Sequence, residues 1–95
     1  MFEWDPKKAS VNLTKHGVSV EDATTVFADP NAMDGRDPEH SAGELRFLRL
    51  GRSGLGTVLM VAYTLRSTGN GETIRIISAR SASRKERAAY ANTED

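Results

Sequence analysis

Three runs with strand character, residues 44–52, 57–67 and 72–79, are joined by the short glycine-bearing turns Ser53-Gly54-Leu55-Gly56 and Thr68-Gly69-Asn70-Gly71. A parallel crossover needs a dozen or more residues and a hairpin only a few, so these connections favour an antiparallel sheet. In the middle run Leu59, Val61, Tyr63 and Leu65 share one face, and Val58, Met60, Ala62, Thr64 and Arg66 share the other. A strand apolar on both sides suits the centre of a sheet that is covered, at least in part, on each face.

Helical signals flank the sheet. Phe2 to Trp4 reads as a short first strand, ended by Asp5-Pro6, with Asp5 as cap and Pro6 at the first position of a helix running to His16 and stopped by Gly17. Ala9, Leu13 and His16 are its expected inner stripe. Ser19 caps a second helix in which Val20, Ala23, Thr24 and Phe27 fall on one face before Asp29-Pro30 ends it. A short strand near Ala32-Met33 precedes a polar loop over 34–43. Ser83-Arg84-Lys85-Glu86 is a capping box that opens a last helix through about Asn92. The expectation is one α+β domain over residues 1–95, with two N-terminal helices, an antiparallel sheet of about four strands and a returning C-terminal helix.

The 95 residues hold no cysteine, which excludes a disulfide framework and a thiolate metal site. The longest apolar run, Val58 to Tyr63, is too short to span a bilayer, and the N-terminus lacks the pattern of a secretory signal, so a cytoplasmic protein is expected. A net charge of zero hides an asymmetry. Residues 1–45 carry four basic groups against nine acids, and residues 46–87 carry nine basic groups, eight of them Arg, against two acids. Arginine suits bidentate phosphate contacts and base stacking, so a polyanion is one natural partner for the second half; a solvated charged surface is the other reading.

Several short motifs occur in order along nearly the whole chain. They are Phe2-Glu3-Trp4-Asp5 with Lys8, Asn12 and Lys15-His16-Gly17-Val18; Val26-Phe27 with Asp29-Pro30; and Asp37, His40-Ser41, Gly43-Glu44 and Arg46. Tyr63-Thr64 with Arg66, Arg75-Ile76-Ile77-Ser78-Ala79-Arg80, and Glu86-Arg87 with Tyr90 complete the set. Together they resemble the BrnT family of toxins. The turn at 67–71 is somewhat long for that family and the tail after Tyr90 short. The resemblance implies a RelE-like ribonuclease fold, RNA cleavage that arrests translation, and no cofactor. It also implies a BrnA-like antitoxin with a ribbon-helix-helix part. That partner would neutralise the toxin in a hetero-oligomer and bring it to operator DNA only through itself.

Metal-independent RNA cleavage needs a base for the 2′-hydroxyl, cations for the crowded phosphate and an acid for the leaving oxygen. The catalytic candidates are Arg66, Arg80, Arg84, Arg87, Glu44 and Tyr90, and Lys15, His16, His40, Arg46 and Arg75 are candidates for holding RNA. Arg66 and Arg80 end neighbouring strands and Arg84 and Arg87 share a helix face, so the four converge if that helix packs beside the strand ends; otherwise they form a solvated rim paired with Glu72 or Glu86. Arg75 leaves the opposite face of its strand from its isoleucine neighbours and is as readily structural. His16 has a helix-terminal hydrogen bond as its other role, and His40 an ordering contact in its loop. Tyr90 either touches RNA or packs on the sheet, and Glu44 is either a base beside Arg46 or an exposed strand residue. Two histidines 24 positions apart and scattered carboxylates give no metal-ligand spacing, and no phosphate-binding glycine loop lies between a strand and a helix. A different class of function, a non-catalytic module that binds RNA or holds its antitoxin on DNA, uses the same arginines. A helix of the antitoxin is expected in a groove beside the basic sheet face.

Overall fold

The computed structural model describes residues 1–38, 44–69 and 71–93. Asp5 opens helix α1 (Pro6–His16) by accepting a 2.9 Å hydrogen bond from the Lys7 N–H, and Gly17 closes it at φ 69°, donating to the Leu13 carbonyl at 2.8 Å. That left-handed conformation is why a glycine stands there. Ser19 caps α2 (Val20–Thr24), which tightens into a 3-10 turn over Thr25–Ala28 instead of continuing as one α-helix to Phe27. The hydroxyls of Thr24 and Thr25 donate to the carbonyls of Glu21 and Asp22 at 2.7 and 2.6 Å, and such local bonds compete with the α-helical ladder. Ser83 and Glu86 form the expected capping box at the head of α3 (Arg84–Ala91).

The strands are β1 (Phe2–Glu3), β2 (Met33–Arg36), β3 (Phe47–Arg52), β4 (Val58–Thr68) and β5 (Gly71–Ser81), in the sheet order β1-β5-β4-β3-β2. The three long strands run antiparallel with β4 at the centre, as its two apolar faces require. Residues 34–36, expected in the polar loop, are drawn into β2 by their ladder with β3, and the short first strand expected at Phe2 to Trp4 is β1, which pairs parallel with β5 through Phe2 opposite Ile74. Two residues carry no signal of direction, and only the return of β5 to the N-terminus brings this pair together. An extra residue in β5, Ile77, lies between the pairs Ala62–Ser78 and Tyr63–Ile76 and forms a bulge.

One sheet face carries the main core. Leu59, Val61, Tyr63, Ile76 and Ala79 pack under Val18, Val20, Ala23 and Val26. Phe27 meets Phe2 and Tyr63 edge to face at 5.3 and 5.0 Å, and the Tyr63 hydroxyl donates to Asp34 at 2.6 Å. Burial and that carboxylate raise the Tyr63 phenol above its ordinary range. Helix α1 departs from its expected inner stripe: Leu13 is 52% exposed and His16 is exposed, while Asn12 is buried. The Asn12 amide donates to the carbonyls of Val18 and Ala79 at 3.0 and 2.9 Å, and its oxygen accepts from the Ala79 N–H at 3.0 Å. The helix thus docks against strand backbone, where a polar side chain satisfies groups that an apolar stripe leaves unpaired.

Among the described residues, α3 covers one end of the second face. There Tyr90 of α3 packs with Leu50 and Ala82, flanked by Val58 and Met60. Beyond α3 lies the part termed the open face, which carries the candidate functional side chains.

Candidate active site

Alternation along β4 and β5 puts Thr64, Arg66, Thr73 and Arg75 on the open face, on neighbouring strands, with Thr64 paired to Arg75 and Arg66 to Thr73. Beside them the chain entering β3 brings in Glu44 and Arg46, and the start of α1 brings in Asp5 and Lys8. These elements enclose a polar cavity of about 210 Å³, lined by Lys8, Glu44, Arg46, Thr64 and Arg75, with Asp5 at its edge and Ile76 and Ile77 as its wall. Three cations and two carboxylates around so small a space can hold a phosphate and leave a carboxylate beside it.

Thr64 sharpens this picture. The residue is 1% exposed, and among the described residues its Oγ1 is the buried side-chain polar atom without a hydrogen-bond partner. A buried hydroxyl with no partner costs about 1–3 kcal/mol, so a structure that keeps one calls for an explanation. Donation to an anion held in the cavity that Thr64 lines would supply it.

Glu3 ties the basic side chains together. Its carboxylate takes Arg66 at 2.7 Å and Arg75 at 3.1 Å, and these two guanidiniums, Arg66 first, hold it below the usual carboxylate range. Arg66 is pushed up in turn by Glu3, and this shared carboxylate sets it at the rim, beside the Arg75 that lines the cavity.

A second cleft on the same face, about 310 Å³, is lined by His16, Leu48, Met60, Ala62, Ser78 and Arg80. Arg80 makes a two-pronged pair with Glu86 at 2.8 and 3.0 Å. That pair, with the Ser83 N–H, depresses the Glu86 carboxyl to about 2 and raises Arg80. Lys15 and His16 line a third groove, along α1.

The expected convergence of four arginines is not what the register gives. Arg66 pairs with Thr73 and Arg80 with Met60, six residues apart on β4 or about 20 Å at roughly 3.3 Å per residue. Both do end strands, but antiparallel pairing sets those ends at opposite ends of the hairpin. Arg84 and Arg87 are on α3, whose Glu86 holds Arg80, and Arg87 donates to the Ala82 carbonyl at 2.7 Å. Tyr90 is not positioned to meet a substrate: it is 2% exposed, its hydroxyl donates to Asp29 at 2.6 Å, and Arg52 lies over its ring at 5.5 Å. Burial first and the Asp29 carboxylate second raise its phenol, so it is a core residue of the α3 contact. His40 lies outside the described residues. Of the candidates, Glu44, Arg46 and Arg75 meet in one cavity with Arg66 at its rim, and His16 joins Arg80 next to it.

Three cavity residues, Lys8, Asp5 and Thr64, stand in the family motifs but are not among the expected site residues. The alternation of β4 already put Thr64 on the face of Arg66, but threonine in a strand is ordinary. The approach of α1 to the sheet, which delivers Lys8, has no local signal. Among the described residues no group of three or more His, Cys, Asp or Glu side chains is arranged to hold a metal ion, and no helix is long and apolar enough to cross a membrane.

The architecture is similar to that of the Brucella abortus ribonuclease toxin BrnT, known from a crystal structure at 1.1 Å resolution. The TM-score is 0.59 over 88% of this chain and 99% of that one, at 23% identity. By fold, then, the chain is an α+β protein with the architecture of that structure. Residues 4–86 match the model of the family described as ribonuclease toxin, BrnT, of type II toxin-antitoxin system, and the chain belongs to that family. No curated protein sequence matches it. Membership makes the protein a ribonuclease toxin whose partner is a protein antitoxin.

Proposed function

We propose that this toxin is a metal-independent endoribonuclease of the cytoplasm that cleaves RNA at the polar cavity of the open sheet face and thereby arrests translation. The observation that carries this reading is the cavity itself, with Lys8, Arg46 and Arg75 around the buried, unpartnered Thr64 hydroxyl and Glu44 beside them. The three cations bind the non-bridging oxygens of the scissile phosphate, and Thr64 donates to one of them. The Glu44 carboxylate takes the proton of the 2′-hydroxyl as the 2′-oxygen bonds to phosphorus. The bond from phosphorus to the 5′-oxygen breaks, and the Lys8 ammonium gives that oxygen its proton. The products are a 2′,3′-cyclic phosphate and a 5′-hydroxyl end. Charge build-up on the phosphorane falls on fixed cations, which is where preorganised electrostatics act most strongly. Arg66 screens the rim, and His16 and Arg80 guide the strand beside the cavity.

The antitoxin, a BrnA-like ribbon-helix-helix protein, neutralises the toxin by laying a helix over the open face. Leu48, Met60 and Met33 there offer partly exposed apolar surface between cations. The complex represses its own operon and meets DNA through the antitoxin. The other reading, a binding module without catalysis, draws on Arg66, Arg80 and Arg87, which are held by Glu3, Glu86 and the Ala82 carbonyl and so are partly committed within the fold. Cleavage of a labelled RNA by purified protein in EDTA separates the two. Wild type is expected to cut, and Arg75→Ala and Glu44→Gln to lose about 100-fold in rate. Intact RNA with wild type, both alone and with ribosomes added, favours the binding module.

A further inference from the structure

Apart from Lys8, the groove along α1 has no part in the cleavage step. It is about 310 Å³, at the lower end of the roughly 300–1,000 Å³ typical of small-molecule sites. Its apolar lining is Val11 of α1 and Ile77, the extra residue of the β5 bulge, with Asn12 and Ser78 beside them. Val11 is 64% exposed, although it stands in the middle of a helix whose neighbour Asn12 is buried. The rim carries Lys7, Lys8 and Lys15 along the helix and His16 at its end, and among the described residues no carboxylate lines the groove. Lys8 and Ile77 also line the polar cavity, so the two spaces adjoin across the bulge.

We infer that this groove is a nucleotide subsite: it takes the base next to the scissile phosphate, unpaired, on the Val11–Ile77 floor, while Lys7 and Lys15 hold the flanking phosphates. An apolar platform inside a basic track is how single strands are gripped, since the base offers a face to lie flat and the backbone a charge to follow. The three lysines of the rim select a polyanion, and continuity with the cavity selects the strand already seated there. A bulge beside an active site commonly re-aims a side chain, and Ile77 is re-aimed into the wall that the two spaces share. The subsite rests on the cavity being the place where RNA is cut.

The test measures fluorescence anisotropy of a short labelled single-stranded RNA with 2′-O-methyl riboses, which binds but lacks the attacking hydroxyl, with inorganic polyphosphate as a ligand without bases. Val11→Ser removes the floor without changing charge and, at an exposed position, leaves the fold intact by circular dichroism. It is expected to weaken RNA about fivefold and polyphosphate not at all. Lys15→Glu is expected to weaken both about tenfold and to flatten the salt dependence. Wild-type affinity for RNA in both variants, with Arg75→Ala still impaired, overturns the subsite and leaves the cavity reading standing. Equal loss of RNA and polyphosphate in Val11→Ser also overturns it. Retained RNA binding with lost antitoxin binding in Lys15→Glu assigns the groove to the protein partner instead. A wild type that neither binds nor cuts RNA overturns the cavity reading and the subsite with it.

Discussion

Replacing Thr64 by valine sets stability against activity. The residue is 1% exposed, and its Oγ1 finds no partner among the described residues. Threonine and valine differ by a hydroxyl for a methyl in nearly the same volume, so the substitution opens no cavity. An unsatisfied buried hydroxyl costs about 1–3 kcal/mol, and removing it is expected to stabilise the free protein by about 1 kcal/mol. For a domain of about this size that raises Tm by roughly 4–8 °C. In the RNA complex the same hydroxyl donates to a charged oxygen, a bond worth about 1.5–3 kcal/mol, so cleavage is expected to fall about 10- to 100-fold. Calorimetry and RNA cleavage on the same preparation read both effects. Added inorganic phosphate should raise Tm more in wild type than in Thr64→Val, because a ligand stabilises the state that binds it. A lower Tm for the variant with unchanged cleavage refutes the reasoning, since the hydroxyl would then be a satisfied structural group remote from the chemistry.

Two further perturbations test the frame around the site. Asn12→Ala removes three hydrogen bonds and leaves Val18 and Ala79 backbone groups unpaired under α1, so urea unfolding is expected to show a loss of about 2–4 kcal/mol, and a loss within error counts against that docking. The Glu86 carboxyl is depressed from its ordinary 4.5 to about 2 by Arg80, so its contribution is complete above about pH 4.5 and disappears as pH falls toward 2. Comparing unfolding at pH 7 and pH 3, wild type should lose about 1 kcal/mol more than Glu86→Gln, the exposed guanidinium limiting the effect, and parallel losses would show that the pair does not carry it.

Much of this protein is local in origin. Asp5-Pro6 with Gly17 bounded α1, Ser83 with Glu86 opened α3, and short glycine-bearing turns with a strand apolar on both faces made the sheet antiparallel and put β4 at its centre. The ordered motifs carried the family as well, because a family signature is written along the chain. Tertiary structure decided what depends on distance through space. The parallel seat of β1 beside β5, the use of Asn12 in place of Leu13 to dock α1, and the burial of Tyr90 against Asp29 each join residues far apart in sequence. The site follows the same division: arginine enrichment was legible, but strand register chose which arginines meet. Antiparallel pairing carried Arg66 and Arg80 to opposite ends of the hairpin, and the approach of α1 set Lys8 beside Arg75 and Thr64. Turns and caps are short-range and can be read one residue at a time. A cavity is assembled from four segments at once, and its contents are fixed only when the sheet has closed.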